Sequence, residues 1–460
     1  MKRCLQPPRK QARALPPERE PTTSRPRALA LWCVPSLWLA LQVSRAFALC
    51  GDATGDGRIR ATDALLTLRA AVASTYDPEL DVFPVDVTDG MLSAPDATLI
   101  LRAAASATIP MCAAADERVV ALTTASCDFA TGGVATIDVR SREVLRERPG
   151  VTKADAVIRK QGERVFALNR FGGNTVMELD PADDLAPLWT CSVGVGSNPH
   201  DIALAAPDKG YVTRYDSTNL AIIDPSAGPS GCDGFLRGTI DLGPWADDDG
   251  FPEMDQMALV GDTLFVVLQR LDRDSFFRPR ANGAVVAIDT KTNTVTDVIE
   301  LSIQNPFGET KGLYRDPHNG LLWIAGPGRL FTDLTDGGIE RIDPTTRTSL
   351  GVLATGAQLG GDLTDLVIVG TSRAYALVAG ENFRVSLVEI DLDKGTPVSV
   401  LATSDELLSD IEITESGELW LADRNCFRPG VRVFSIADNR ETTTEPLGLA
   451  LAPFTLVFAH

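Results

Sequence analysis

From residue 113 onward, apolar and polar side chains alternate in short runs with a period near two, the pattern of half-buried β-strands. The clearest stretch is residues 197–228. Asp201-Ile202-Ala203-Leu204 leads into Pro207-Asp208-Lys209-Gly210, where Pro presets the turn φ and Gly accepts the φ > 0 that closes a tight hairpin. Tyr211-Val212-Thr213-Arg214-Tyr215 follows, then the polar turn Asp216-Ser217-Thr218 and a third run, Leu220-Ala221-Ile222-Ile223-Asp224, stopped by Pro225. Three strands on two tight turns predict an antiparallel meander. One meander cannot bury both of its faces, so it requires copies to pack against.

Copies are present. First strands are predicted at 155–158, 201–204, 255–259, 311–314, 365–368 and 410–413, with starts 46, 54, 56, 54 and 45 residues apart. Second strands follow at 165–168, 211–213, 264–268, 322–325, 374–378 and 419–421. Third strands end in an Ile/Leu-Asp pair: Ile137-Asp138, Leu179-Asp180, Ile223-Asp224, Ile288-Asp289, Ile342-Asp343 and Ile390-Asp391. The last repeat has Val431-Arg432-Val433-Phe434 there instead. Ile137-Asp138 has no first strand before it, and the C-terminal run Pro453-Phe454-Thr455-Leu456-Val457-Phe458 supplies one. Repeats of this length, each a four-stranded meander, predict a mainly β fold: a seven-bladed β-propeller at 113–460 whose N- and C-terminal strands share one blade. Closing the ring with both termini protects sheet edges.

Residues 1–48 do not follow this pattern. A basic, Pro-rich lead precedes an apolar run at 28–41 and then Ala46-Phe47-Ala48. A basic region, a short apolar region and an A-x-A site describe a signal peptide, and the run is shorter than the roughly 20 residues that span a bilayer. The expectation is a secreted or cell-surface protein with no transmembrane span after signal removal. The whole chain has a formal net charge of −19. The lead carries more basic than acidic side chains, so the remainder is more acidic still. Such a surface repels phosphate backbones, and nucleic acid is excluded as a partner.

Residues 49–112 carry a different periodicity. Asp52, Thr54, Asp56 and Asp63 place oxygen-bearing side chains at positions one, three, five and twelve of a loop, with Gly57 at six. This is what a Ca²⁺ loop requires, because the ion takes six to eight oxygens around a sharp turn. A helix-type run, Ala64-Leu65-Leu66-Thr67-Leu68-Arg69-Ala70-Ala71, follows, and the unit repeats from Asp86 to Ala104 with a loop one residue shorter. The duplicated loop-helix resembles the dockerin domain, an α-helical, Ca²⁺-dependent module that docks onto cohesins. The resemblance implies Ca²⁺ held by Asp52, Thr54, Asp56, the Arg58 carbonyl and Asp63, with Asp86, Thr88, Asp89 and Asp96 in the second loop. It also implies a cohesin-like partner. A Ca²⁺-stabilised spacer with no such partner is equally consistent with these residues.

Cys50, Cys112, Cys127, Cys191, Cys232 and Cys426 remain once the lead is removed, an even count that in an exported chain suggests disulfides. Cys50 and Cys112 bracket the helical module, where a bond would staple its ends. Cys127 and Cys426 each lie five residues beyond a second strand, in the first and last blades, which the ring makes neighbours. Cys191 and Cys232 are then left to join neighbouring blades.

Pro199-x-x-Ile202-Ala203, Pro207-Asp208-x-Gly210-Tyr211-Val212-Thr213 and Ile223-Asp224-Pro225 resemble the YVTN-type repeats of surface and lactonase-like propellers. The resemblance implies the fold more strongly than an activity. Nucleophile-elbow, H-E-x-x-H and phosphate-loop patterns are absent. Of the histidines, His200 opens an inner strand, His318 lies in a hairpin turn and His460 is C-terminal. Asp155, Asp201, Asp255, Asp365 and Asp410 recur at one repeat position, with Lys311 and Thr455 in the other two blades and His200 alongside. A ring of carboxylates at a channel mouth reads as a cation or acid–base site. The same residues also read as loop caps bonded to neighbouring backbone. Insertions at 245–251, with Asp247-Asp248-Asp249, and 272–282, with Phe276-Phe277-Arg278, provide a rim. Two functions follow: an exported binding or scaffold protein whose propeller takes a protein or glycan, or a propeller lactonase, lyase or polysaccharide-active hydrolase recruited by the dockerin-like module.

Overall fold

The computed structural model describes residues 118–460, except 308–312, 317–318, 331, 415 and 460. The expected signal peptide, the expected helical module with Asp52, Thr54, Asp56, Arg58, Asp63, Asp86, Thr88, Asp89 and Asp96, and the expected Cys50–Cys112 bond lie outside the described residues. So do Lys311, His318 and His460.

Seven four-stranded antiparallel sheets form the blades. The first three strands of each blade, from the inside outward, are as follows. Blade 1 has Ala452–Ala459, Val119–Ala125 and Gly132–Asp138, and blade 2 has Ala156–Gln161, Arg164–Asn169 and Thr175–Asp180. Blade 3 has Pro199–Ala206, Lys209–Arg214 and Asn219–Ile223, and blade 4 has Met254–Val260, Thr263–Leu268 and Ala284–Asp289. Blade 5 has Leu313–Arg315, Leu322–Gly326 and Gly338–Asp343, and blade 6 has Asp362–Ile368, Arg373–Ala379 and Val385–Asp391. Blade 7 has Leu408–Ile413, Glu418–Asp423 and Gly430–Ser435. The shared blade closes as the sequence predicts, with Leu122 opposite Leu456 and Val119 opposite Ala459.

The core is distributed between sheets. Each blade buries both faces, one against each neighbour, so its middle strands carry unbroken apolar runs such as Leu264-Phe265-Val266-Val267-Leu268, all fully buried. Leu264, Val266 and Leu268 pack toward blade 3, while Phe265 and Val267 pack toward blade 5. Each of the seven interfaces has its own apolar cluster, including the closing one, where Trp420 meets Phe458 edge-on at 5.9 Å. Outer strands are more exposed, and in Thr348–Thr355 more and less exposed positions alternate along most of the strand, because one side faces water.

The Ile/Leu-Asp signature has a local cause. Its carboxylate accepts backbone N–H groups of the turn that follows: Ser141 to Asp138 at 2.6 Å, Lys291 to Asp289 at 2.8 Å and Thr345 to Asp343 at 2.8 Å. The N–H groups of Thr292 and Lys291 hold the Asp289 carboxyl below the usual range, and that of Thr345 does the same for Asp343. Disulfides Cys127–Cys426 and Cys191–Cys232 form, the first tying blade 1 to blade 7 across 299 residues of chain. Among the described residues no helix is long and apolar enough to cross a membrane. Both observations are compatible with an extracellular protein.

Candidate functional site

The recurring carboxylates do not form one ring. Asp201, Asp365 and Asp410 each reach sideways to the inner strand of the next blade. Asp201 Oδ2 accepts Met257 N–H at 2.7 Å, Asp365 Oδ2 accepts Ile411 N–H at 2.9 Å, and Asp410 Oδ2 accepts Leu456 N–H at 2.5 Å. Thr455 Oγ1 does the same for Ile158 N–H at 2.8 Å, and Gln256 Oε1 for Leu313 N–H at 3.2 Å. These side chains are inter-blade latches that satisfy backbone donors at the channel wall.

Asp155 and Asp255 fall out of this register. The inner strands of blades 1, 3, 4, 6 and 7 share a bulge whose second residue is the latch; in blade 4 that residue is Gln256, and Asp255 stands one position earlier. Blade 2 has no bulge, and its corresponding residue is Val157. There the Arg159 guanidinium bridges instead, from Nε to Asp201 Oδ1 at 2.9 Å and from Nη2 to the His200 carbonyl at 3.3 Å. Burial pushes the Asp201 carboxyl up, against the pull of Arg159 and the Met257 N–H. Asp155 pairs with Arg170 at the surface of the blade and is one-third exposed.

The displaced Asp255 meets His200, which occupies the equivalent bulge of blade 3. His200 Nδ1 lies 2.9 Å from Asp255 Oδ1, and both residues are buried. Gln269 Nε2 donates to Asp255 Oδ2 at 2.9 Å, and Tyr215 Oη donates to Gln269 Oε1 at 3.2 Å. The His200 imidazole stacks on the Tyr215 ring at 4.3 Å and 12°. Burial, with the Glu253 and Asp255 charges, drives the Tyr215 hydroxyl well above its usual pKa.

This network floors a cavity of about 510 Å³ that also takes in Asn305 and Phe307 from the linker between blades 4 and 5. Phe276, Phe277 and Arg278, on the blade 4 insertion, form one rim; Gly328 and Arg329 of blade 5 form the other. The insertion is held down from below. Glu253 is fully buried, accepts Leu271 N–H at 3.0 Å and pairs with Arg273 Nε at 2.6 Å. Arg273 also reaches Asp216 at 2.7 Å and lies over the Phe251 ring at 4.2 Å. Burial raises the Glu253 carboxyl to about 7 despite Arg273, and raises Asp247 to about 6 with help from Asp249. The carboxylates of Asp247, Asp249 and Glu253 are grouped closely enough for a cation. Arg273 already brings a positive charge there, and its N–H donates to Asp249 at 2.9 Å.

The sequence placed His200 and the Phe276-Phe277-Arg278 rim at a mouth of the propeller. It did not single out Tyr215, Gln269 or Asn305 as site residues. Nothing in the repeat period marks them, because they sit in turns and linkers whose partners are brought close only by the folding of the blades.

No protein-family model matches the chain, and no curated protein matches it. Solved structures do. A Lactobacillus plantarum protein aligns at TM-score 0.53 and 13% identity, over 75% of this chain and 99% of that one. A candidate 6-phosphogluconolactonase from Bacteroides fragilis aligns at TM-score 0.51 and 14% identity, over the same shares. At such identities the likeness is one of fold: this is a seven-bladed propeller with lactonase-like structural neighbours.

Proposed function

We propose that the protein is an exported binding protein whose propeller holds a ligand in the cavity between blades 3 and 5. The observation that carries this reading is the cavity itself: about 510 Å³, aromatic at the rim and polar at the floor, within the range of small-ligand sites. The disulfides Cys127–Cys426 and Cys191–Cys232 support export, since such bonds persist in oxidising compartments. The helical segment at 49–112 adds a Ca²⁺-loaded module, with Asp52, Thr54, Asp56 and Asp63 as side-chain ligands and docking to a cohesin-like protein as its role. A thermal-shift screen with sugars, peptides and organic acids, run on wild type and Phe277→Ala, tests the cavity. Stabilisation by one class that is lost in the variant supports the reading. No stabilisation of wild type by any class overturns it.

One observation favours an enzyme as the second reading. A histidine oriented by a buried carboxylate and facing a cavity is the arrangement of a general base. Turnover of a lactone or glycoside substrate by wild type, abolished in His200→Asn with the cavity ligand still bound, would select it.

A further inference from the structure

Among the described residues, every exposed phenylalanine lies on one face of the propeller. Phe129, Phe171, Phe276, Phe277, Phe383 and Phe427 all sit in loops that join second to third strands, in blades 1, 2, 4, 6 and 7. Those loops open on the face where the inner strands begin, the face of His200 and the cavity rim. Val195 and Leu407, in the linkers between blades, are exposed on the same face. The remaining exposed large apolar side chains are on outermost strands, as Val398 and Val400 are in Thr396–Ser404. The opposite face holds none among the described residues. The chain enters the ring there, where Arg118 N–H donates to the Ala459 carbonyl at 3.1 Å.

Nothing inside the fold accounts for these rings. Phe276 is 95% exposed and Phe427 89%, so burial does not hold them. Phe129, Phe276, Phe277 and Phe383 sit at φ 55, 60, 57 and 60, in the left-handed region that glycine or asparagine occupies at less cost than a bulky side chain. Arginine stands beside four of the rings, in Arg170-Phe171, Phe277-Arg278, Phe383-Arg384 and Phe427-Arg428. Arg170 and Arg384 are paired with Asp155 and Asp405. Arg278 and Arg428 are exposed, with no carboxylate partner among the described residues.

The distribution of the rings selects the partner. A folded protein is held by hot spots that cluster near the centre of a contact, whereas these rings are spread over five blades around the mouth. A fluid apolar phase takes up each ring separately, and a guanidinium beside the ring stays at its polar surface. We propose that this face rests on a phospholipid bilayer, with the phenylalanines at the boundary of headgroups and acyl chains and with Arg278 and Arg428 on lipid phosphates. The formal net charge of −19 opposes an anionic surface, so the matching lipid is zwitterionic. This inference is independent of what the cavity holds.

The test is flotation of the full secreted chain with phosphatidylcholine vesicles, alone and doped with phosphatidylglycerol. The expected result is binding to phosphatidylcholine that phosphatidylglycerol does not strengthen and added salt does not weaken. Phe276→Ser combined with Phe427→Ser should weaken binding by roughly tenfold or more, from the apolar area no longer withdrawn from water. Val398→Ser combined with Val400→Ser, also exposed but on the outer wall of blade 6, should leave it unchanged. Phe427→Trp should bind as wild type does, and lipids with brominated acyl chains should quench its added indole. Unchanged melting temperatures show that the variants fold. The proposal is overturned if wild type binds neither vesicle, if binding survives the paired phenylalanine substitutions, or if the indole is not quenched. Self-association or retention of a protein partner that those substitutions abolish, with vesicles left unbound, would assign the face to protein and likewise overturn the lipid assignment.

Discussion

Glu253 makes the stability of the blade 4 insertion depend on pH, with a sign opposite to that of a surface carboxylate. Its side chain is fully buried, and burial raises it from 4.5 to about 7. Between those values the unfolded chain has lost the proton and the folded protein keeps it. The folded state binds more protons there, so stability is greatest below about pH 4.5 and is lost as pH rises through about 7. The gap corresponds to about 3 kcal/mol at about 1.4 kcal/mol per pH unit. Glu253→Gln removes the titration, whatever constant change it makes to the contacts with Leu271 and Arg273. Urea denaturation of both proteins across roughly pH 4 to 8 gives the difference in unfolding free energy, wild type minus variant. That difference should fall by about 3 kcal/mol across the window. A flat difference, or one that grows with pH, refutes the argument that burial outweighs the Arg273 ion pair.

Other consequences are more direct. Reducing Cys127–Cys426, or replacing both with Ser, removes the covalent tie between blades 1 and 7 and should cost about 3–5 kcal/mol in denaturant, given the 299-residue separation. Asp365→Ala orphans the Ile411 and Leu366 N–H groups at the channel wall and should cost about 2–3 kcal/mol, with Asp365→Asn less damaging. Asp201→Ala leaves Arg159 buried without its carboxylate, and a loss of about 3–5 kcal/mol is expected by the same measurement. For the amino-terminal module, calorimetry should record Ca²⁺ uptake that vanishes in Asp52→Ala and Asp63→Ala; no heat from wild type removes the calcium assignment.

Much of the architecture was determined by sequence alone. The two-residue alternation is a property of a strand and its immediate neighbours, so it could be read locally, and its recurrence located each blade and the closing strand at 453–458. The closing disulfide followed from that ring, because position in the repeat already made Cys127 and Cys426 neighbours. The candidate site was legible only in part. His200 and the Phe276-Phe277-Arg278 insertion were visible as departures from the period, yet Asp155 and Asp255 were aligned with the latches by residue type. Only the tertiary structure decided that Asp255 belongs to His200 and Gln256 to the latch. Five inner strands share a bulge that aims two consecutive side chains differently, so standing one position before the latch exchanges a backbone partner for a side-chain partner across the blade boundary. Tyr215, Gln269 and Asn305 converge on the cavity from turns and linkers, where no local pattern fixes direction, so their chemistry exists only once the ring has closed.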